Sequence, residues 1–570
     1  MIQEMKKNVL KVFVSALIVM TAIANTGCSN EASLANDAQQ EQAVTEGTEL
    51  SFNFDLAGYG KEQSVATRGV AGEAKGRVIA SSVSSLGDGL EAYTEVVEDA
   101  KPQTRATYTS APAQNYTILA YKDGQKKGEW VGSCKDSKFT PKAGPSSVQV
   151  LQPGKYVFYV FSDHLTYKDG KIIIDINKGS INALFNKQDV TILPQEKKKQ
   201  VNFHLVSPYA RVRMKIKGFS SQAFEGSING ALKYDKGGVK GTCTIDPSVP
   251  SAEANYANVT KAGQLKYQKF TENVKGPQED NVIKTSYINT PENAGVYFLA
   301  KTHLNKLSFQ FDPKANGTIY KKQVAEKVLP LNLSDVELKE GTSYTISQTI
   351  YYTADYLFSD GTVGTLVPNL KAKRKPVALV VDKVRKVCMS LTEIKDKKWA
   401  TSGELKCSST EDQDSKGLEK TIKKYDGYAQ TWDPSTTLNS GDVAKGNSKN
   451  FEAFWVAGQQ PMVGSQKWYV PGAGEWDTAL KYLGVADPKK GFVAVGSKAQ
   501  PWDGSLGYRL QEILFYQANG VPLTGWYWAA NAWTDVRQAR GVSVTAGPTG
   551  TFFGGAHKTT KTKVRPFINY

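Results

Sequence analysis

Between residues 49 and 352 the sequence returns repeatedly to one pattern, a short apolar run followed by a turn. Residues 49–58 (ELSFNFDLAG) set Leu50, Phe52, Phe54 and Leu56 against polar neighbours, the period of a strand with one buried face. Residues 115–124 (NYTILAYKDG) run into a Lys-Asp-Gly turn, and residues 154–163 (GKYVFYVFSD) read as a strand buried almost throughout. Residues 198–219 alternate Val201, Phe203, Leu205, then Ala210, Val212, Met214, Ile216. Further strands are expected over 295–300, 306–312 and 343–352. Turn signals fall between them at Asp169-Gly170, Asn229-Gly230 and Asn316-Gly317. No long amphipathic helix interrupts the stretch. A β-sandwich takes about 100 residues or somewhat more, so this length predicts two, over 47–206 and 207–352, divided near Ser207-Pro208.

The last third has another texture. Nine of the ten Trp lie from Trp399 to Trp533, and only Trp130 stands outside. Residues 475–484 (EWDTALKYLG) place Trp476, Ala479, Leu480 and Leu483 on one helix face, with Gly484 where a helix ends. Residues 356–367 read as a hairpin, and 376–381, 525–533 and 562–570 as core strands. The expected fold is mainly β: two tandem sandwiches, then an α+β module over 355–570.

The first residues set the compartment. Lys6 and Lys7 precede an apolar run, Val9 to Ala24, and then Asn25-Thr26-Gly27-Cys28. This is a secretion signal. It resembles a bacterial lipoprotein signal, which implies that Cys28 is acylated and becomes the new N-terminus, tethering the chain by lipid. Residues 29–46 are small, polar and acidic and read as a flexible spacer. Removing the signal leaves a net charge of about +14 from +16. The basic runs at 197–199 and 371–375 carry no interleaved aromatics, which argues against nucleic acid and for solvated turns; acidic surface glycans are the better partners for such charge. The other cysteines, Cys134, Cys243, Cys388 and Cys407, lack metal-ligand spacing. Cys388 and Cys407 are either bridged or buried free thiols.

The signal, spacer and paired strand-rich modules resemble the fimbrillin family of Bacteroidetes pili over about residues 28–350. Val65-Ala66-Thr67-Arg68-Gly69 and Gln103-Thr104-Arg105-Ala106 resemble that family's processing segment. The resemblance implies cleavage after an early Arg, here Arg68 or Arg105, and loss of a first strand. A strand from a neighbouring subunit then fills the opened groove.

Residues 468–480 (WYVPGAGEWDTAL), then 525–533 (GWYWAANAW) and 563–567 (KVRPF), resemble the C-type-lectin-like domains of the sulfatase-modifying-factor kind. The resemblance implies structural roles for Trp468, Pro471, Glu475, Trp476 and Arg565. A buried carboxylate at Glu475 needs a partner, and Arg565 is the candidate cation. Enzymes of that kind bind copper through late cysteines, but Cys407 is the last one here, so that chemistry has no residues to run on. Calcium-binding lectin triplets are absent, and His557 reads as a loop residue.

The function expected is that of a fimbrial subunit, a tip or accessory adhesin at the outer membrane surface, assembling by strand exchange. No catalytic residue, metal site or cofactor is expected. Partners are other fimbrillin subunits and a host or bacterial surface glycan or protein, with Trp502, Trp526 and Trp533 as candidate contacts. A glycan-capturing surface lipoprotein or enzyme, or a lipidated pilus anchor, are the alternatives.

Overall fold

A computed structural model describes residues 47–59, 76–99, 108–143, 149–279, 282–291, 294–412, 414–438, 441, 443–485, 506–534, 540–548 and 550–570. The first strand, β1 (Thr48–Ala57), buries Thr48, Leu50, Phe52 and Phe54 and turns the intervening residues outward. It runs parallel to Lys198–Leu205 from Glu49 to Leu56. On its other edge it meets three short antiparallel strands, Val150–Leu151, Lys138–Pro141 and Tyr108–Ser110. The sheet continues through Gln125–Lys135, Asn115–Lys122, Gly154–Ser162 and Phe185–Ile192. A bridge from Phe185 to Val206 brings its two ends together, so the sheet curls around one core. The core is a ring cluster: the Phe52 ring lies 5.4 Å from Trp130, 6.1 Å from Phe139 and Phe158, and 6.0 Å from Phe203.

On either side of Ser207-Pro208, Lys198–Leu205 and Tyr209–Phe219 lie in different sheets. The chain nevertheless crosses over earlier. The hairpin β2 (Arg77–Gly87) and β3 (Leu90–Glu98), inside the segment assigned to the first sandwich, belongs to the second. β3 pairs antiparallel with Ser343–Tyr352 along nine residues, and Ser343–Tyr352 pairs parallel with Tyr209–Phe219. Leu90, Ala92 and Val96 enter the second core for that reason. The opposing sheet, Gly263–Lys266, Gly230–Tyr234, Leu307–Phe311 and Val328–Pro330, supplies Leu232, Phe309 and Phe311.

Local turn chemistry explains the hairpins. Asp88-Gly89, Asp123-Gly124 and Asp169-Gly170 all hold both residues at positive φ, between 50° and 77°, as two-residue hairpin turns demand. Asn229-Gly230 is not such a turn. Gly230 begins a strand, and a Cβ there would sit 2.4 Å from the Phe309 ring.

Among the described residues the C-terminal third carries a two-stranded sheet, Lys406–Cys407 with Thr437–Leu438, and two larger ones. One orders Val363–Thr365, Asp355–Phe358, Pro376–Asp382, Val387–Ser390 and Phe567–Asn569; the other is built on Ile394–Lys398, Lys561–Val564, Gly525–Thr534, Arg540–Gly547 and Gly550–His557. The helix Ala473–Tyr482 packs Trp476, Ala479 and Leu480 inward, with Leu483 beyond its end, and Gly484 takes φ 99° after the cap. This module is not insulated from its neighbour, and Gly47–Tyr570 makes one compact unit. Ile513 and Tyr516 of the helix Arg509–Tyr516 enter the second sandwich's core. Gln517 receives the Tyr352 N–H at 3.0 Å and donates to the Tyr352 carbonyl at 2.9 Å and the Tyr356 hydroxyl at 2.8 Å. Arg509 reaches Glu225 at 2.7 Å. Among the described residues no helix is long and apolar enough to cross a membrane.

One buried ion pair ties β3 into the second sandwich. Asp99 accepts from Arg213 at 3.0 Å, Ser343 Oγ at 2.6 Å and Thr345 Oγ1 at 2.9 Å, and the two charged side chains are 1% and 2% exposed. Removing one member of such a pair strands the other charge in the core. Arg213→Met is expected to lower the unfolding free energy by about 3–5 kcal/mol, measured by urea denaturation.

Candidate functional site

Two regions hold the residues the sequence singles out. The first surrounds β1. Its backbone is paired on both edges: Glu49 N–H donates to Lys197 at 2.9 Å, Leu50 N–H to Gln149 at 2.6 Å and Phe54 N–H to Ser137 at 2.8 Å. Its apolar face fills a groove walled by Trp130, Phe139, Phe158 and Phe203. Burying Leu50, Phe52 and Phe54 contributes on the order of 5–9 kcal/mol by area. Without β1 a row of backbone groups and an aromatic-lined groove would face water. Arg68 and Arg105 lie outside the described residues, as do Cys28 and the spacer. Arg68 falls between β1 and β2, and Arg105 falls after β3.

The second region is the C-terminal module. Trp502 lies outside the described residues. Trp526 stands at the start of Gly525–Thr534 and is 46% exposed. Trp533 is fully buried and donates its indole N–H to the Gly554 carbonyl at 3.0 Å. It is a core residue, which corrects its expected place among the ligand contacts. The register slips between Trp528 and Ala532, so simple alternation does not carry from one Trp to the next.

The expected Glu475–Arg565 pair does not form. Arg565, fully buried, donates to Glu393 at 3.2 Å and to the carbonyls of Ser390 (3.2 Å) and Val521 (2.9 Å). Lys563 at 2.9 Å and the Tyr527 hydroxyl at 2.7 Å complete the shell of Glu393. Glu475 instead sits at the start of its helix and accepts the Gly472 N–H. Burial, with the neighbouring Asp426 charge adding to it, pushes its carboxyl up to about 8, against the pull of Gly472, Tyr469 and Gly427. Burial therefore favours its protonated form, which lowers the need for a cation beside it.

Sequence reading missed Lys445. It is fully buried, and its ammonium donates to the Gln430 carbonyl (3.0 Å), Gln430 Oε1 (3.2 Å), the Thr436 carbonyl (2.8 Å) and Thr436 Oγ1 (2.8 Å). Burial lowers it to about 8. Nothing local to Ala444-Lys445-Gly446 signals this. Cys134, Cys243, Cys388 and Cys407 are buried and unbridged, and burial pushes the thiols up, Cys134 and Cys243 to about 11. Such thiols are poor nucleophiles. His557 ends a strand in solvent beside Thr559.

No protein-family model and no curated protein matches the sequence. Among solved structures the chain is similar to a fimbrial protein from Bacteroides ovatus, at 11% identity and TM-score 0.21, over 92% of this chain and 100% of that one. It is also similar to the fimbrial anchor protein Mfa2 from Porphyromonas gingivalis, at 10% identity and TM-score 0.23, over 58% of this chain and 96% of that one.

The state of Glu475 has a signed consequence. Its folded value exceeds the ordinary 4.5, so its contribution to stability is complete below about pH 4.5 and is lost as pH rises through about 8. Across that window wild-type stability falls by up to about 1.4 kcal/mol per pH unit on account of this one group. Glu475→Gln, which resembles the protonated form, is expected to flatten that limb in urea unfolding from pH 5 to 9, with little change at pH 5.

Proposed function

We propose that the protein is a subunit of a surface fimbrium that assembles by exchange of β1. The observation that carries this reading is the construction of β1 itself. It is a ten-residue strand with an apolar face, paired on both edges, and joined to the rest of the fold only through the segment that contains Arg68. A cut there frees β1 and leaves a groove shaped for another strand of period two. Backbone pairing would supply affinity and the ring-lined pockets would select side chains. The chain is made as a lipoprotein on Cys28 and displayed at the outer membrane surface.

Between the two candidate positions, the geometry favours Arg68. A cut after Arg105 would put β1 and the β2–β3 hairpin on one fragment. That fragment could leave only by breaking nine residues of pairing with Ser343–Tyr352, the Asp99–Arg213 ion pair and the second core together. A cut after Arg68 spares the second sandwich.

The strand Phe567–Asn569 is built into a sheet beside Val387–Ser390, and Tyr570 N–H donates to Lys386 at 3.1 Å. Residues 567–570 are therefore not a spare donor strand, and the reading places the subunit at the fibre end. The 355–570 module, read as C-type-lectin-like, then faces outward and contacts a surface ligand through Trp526 without performing a reaction.

Mass spectrometry of the mature surface protein tests this. The chain is expected to begin at Gly69, and Arg68→Ala is expected to keep its N-terminal segment and drop out of fibres, while Arg105→Ala behaves as wild type. A mature start at acylated Cys28, with Arg68→Ala entering fibres normally, would make the protein an anchor or a plain surface lipoprotein. Long homopolymers of the processed chain would remove it from the fibre end.

A further inference from the structure

The exposed edge of Trp526 borders a cleft of about 370 Å³, lined also by Lys395, Asp396, Thr560, Lys561, Thr562 and Lys563. Three strands build it: Gly525–Thr534 brings the Trp, Ile394–Lys398 brings Lys395 and Asp396, and Lys561–Val564 brings the other two lysines. The ladder between the last two slips between Ile394 and Lys397, where Asp396 takes φ 57°. That irregularity turns Lys395 and Asp396 to the cleft. Phe552 meets the Trp526 ring edge-on at 6.2 Å and fixes its plane.

The charges divide into committed and uncommitted ones. Lys563 is taken by Glu393 at 2.9 Å and by Thr524 at 2.7 and 3.0 Å. Lys395 and Lys561 are exposed and have no ion-pair partner among the described residues. A half-exposed indole beside two unpaired ammonium groups presents an apolar face and positive charge to the same ligand. The indole offers a flat apolar face, the ammoniums take an acid, and Asp396 and Thr560 take hydroxyls.

We propose that this cleft binds an acidic carbohydrate. One face of a sugar ring stacks on Trp526, its carboxylate or sulfate sits between Lys395 and Lys561, and its hydroxyls meet Asp396 and Thr560. A single-stranded nucleic acid would use a row of aromatics along a basic track. Here one aromatic stands alone in the cleft. The assignment rests on the reading that the C-terminal module contacts a ligand, and it names that ligand's class.

Isothermal titration of the processed full chain with tetragalacturonate, its neutral methyl ester, dextran sulfate and oligodeoxythymidylate tests it. At least one of the two acidic carbohydrates is expected to bind, more weakly as salt rises, and the methyl ester to bind at least about tenfold more weakly than the acid. Trp526→Ala is expected to weaken acidic-sugar binding about tenfold or more. Lys395→Gln and Lys561→Gln are expected to weaken it and to reduce its salt dependence, leaving the methyl ester unaffected. Thermal unfolding checks that each variant is folded, and the two lysine variants carry the test if Trp526→Ala is not. Tighter binding of oligodeoxythymidylate, equal binding of acid and ester, an unchanged Trp526→Ala, or no binding of either acidic carbohydrate overturns the proposal. These outcomes are independent of fibre assembly: a mature start at Cys28 sinks the strand-exchange reading and leaves the cleft result standing.

Discussion

The first sandwich depends on a packing contact made by its first strand. Phe52 and Phe54 of β1 sit among Tyr116, Trp130, Phe139, Phe158 and Phe203, with ring centroids 5.0–6.1 Å apart. Aromatic pairs at such distances add to the burial of their area, and here one strand supplies the middle of the cluster. The same strand completes the hydrogen bonding of Lys198–Leu205 on one side and of three short strands on the other. The sandwich cannot do without a strand at this position, but nothing in the packing requires that strand to be its own. This is the physical basis for the exchange proposed above.

What was legible in the sequence was what is decided locally. Alternation identified β1 and the strands of the first core, because a buried face with period two leaves its mark on adjacent residues. The helix Ala473–Tyr482 and the Asp-Gly turns were legible for the same reason, since a glycine at positive φ and an apolar stripe are near-neighbour properties. The partner of each strand was not legible. The β2–β3 hairpin follows β1 in sequence, yet β3 pairs with Ser343–Tyr352, some 250 residues on, through a match of edges that no local signal encodes. Asn229-Gly230 carries the right letters for a turn, but the approach of Phe309 requires the glycine for a different reason.

In the C-terminal module Glu475, Arg565 and Trp526 were recognised, but their partners were not, and Lys445 and Glu393 were missed. A carboxylate at Glu475 and a guanidinium at Arg565 invite pairing on charge alone. The fold gives the guanidinium to Glu393 and leaves Glu475 where burial favours its protonated form. Trp526 and Trp533 share a strand and differ only in position along it. One lies at the strand's outer start after Gly525, at φ 83°, and the other lies under Gly554. Lys395 and Lys561, 166 residues apart, line one cleft only because their strands are neighbours.

The run from Ser343 to Phe358 passes from the second sandwich into the terminal module with only Thr353 and Ala354 between two strands, and Gln517 clasps it at Tyr352. A load applied at the terminal module therefore enters the sandwich along the axis of Ser343–Tyr352, which is flanked on both edges. Ladders pulled along their length must yield many bonds at once, whereas a peeled edge yields them singly. A pull along that strand would thus be resisted in shear by both of its ladders at once.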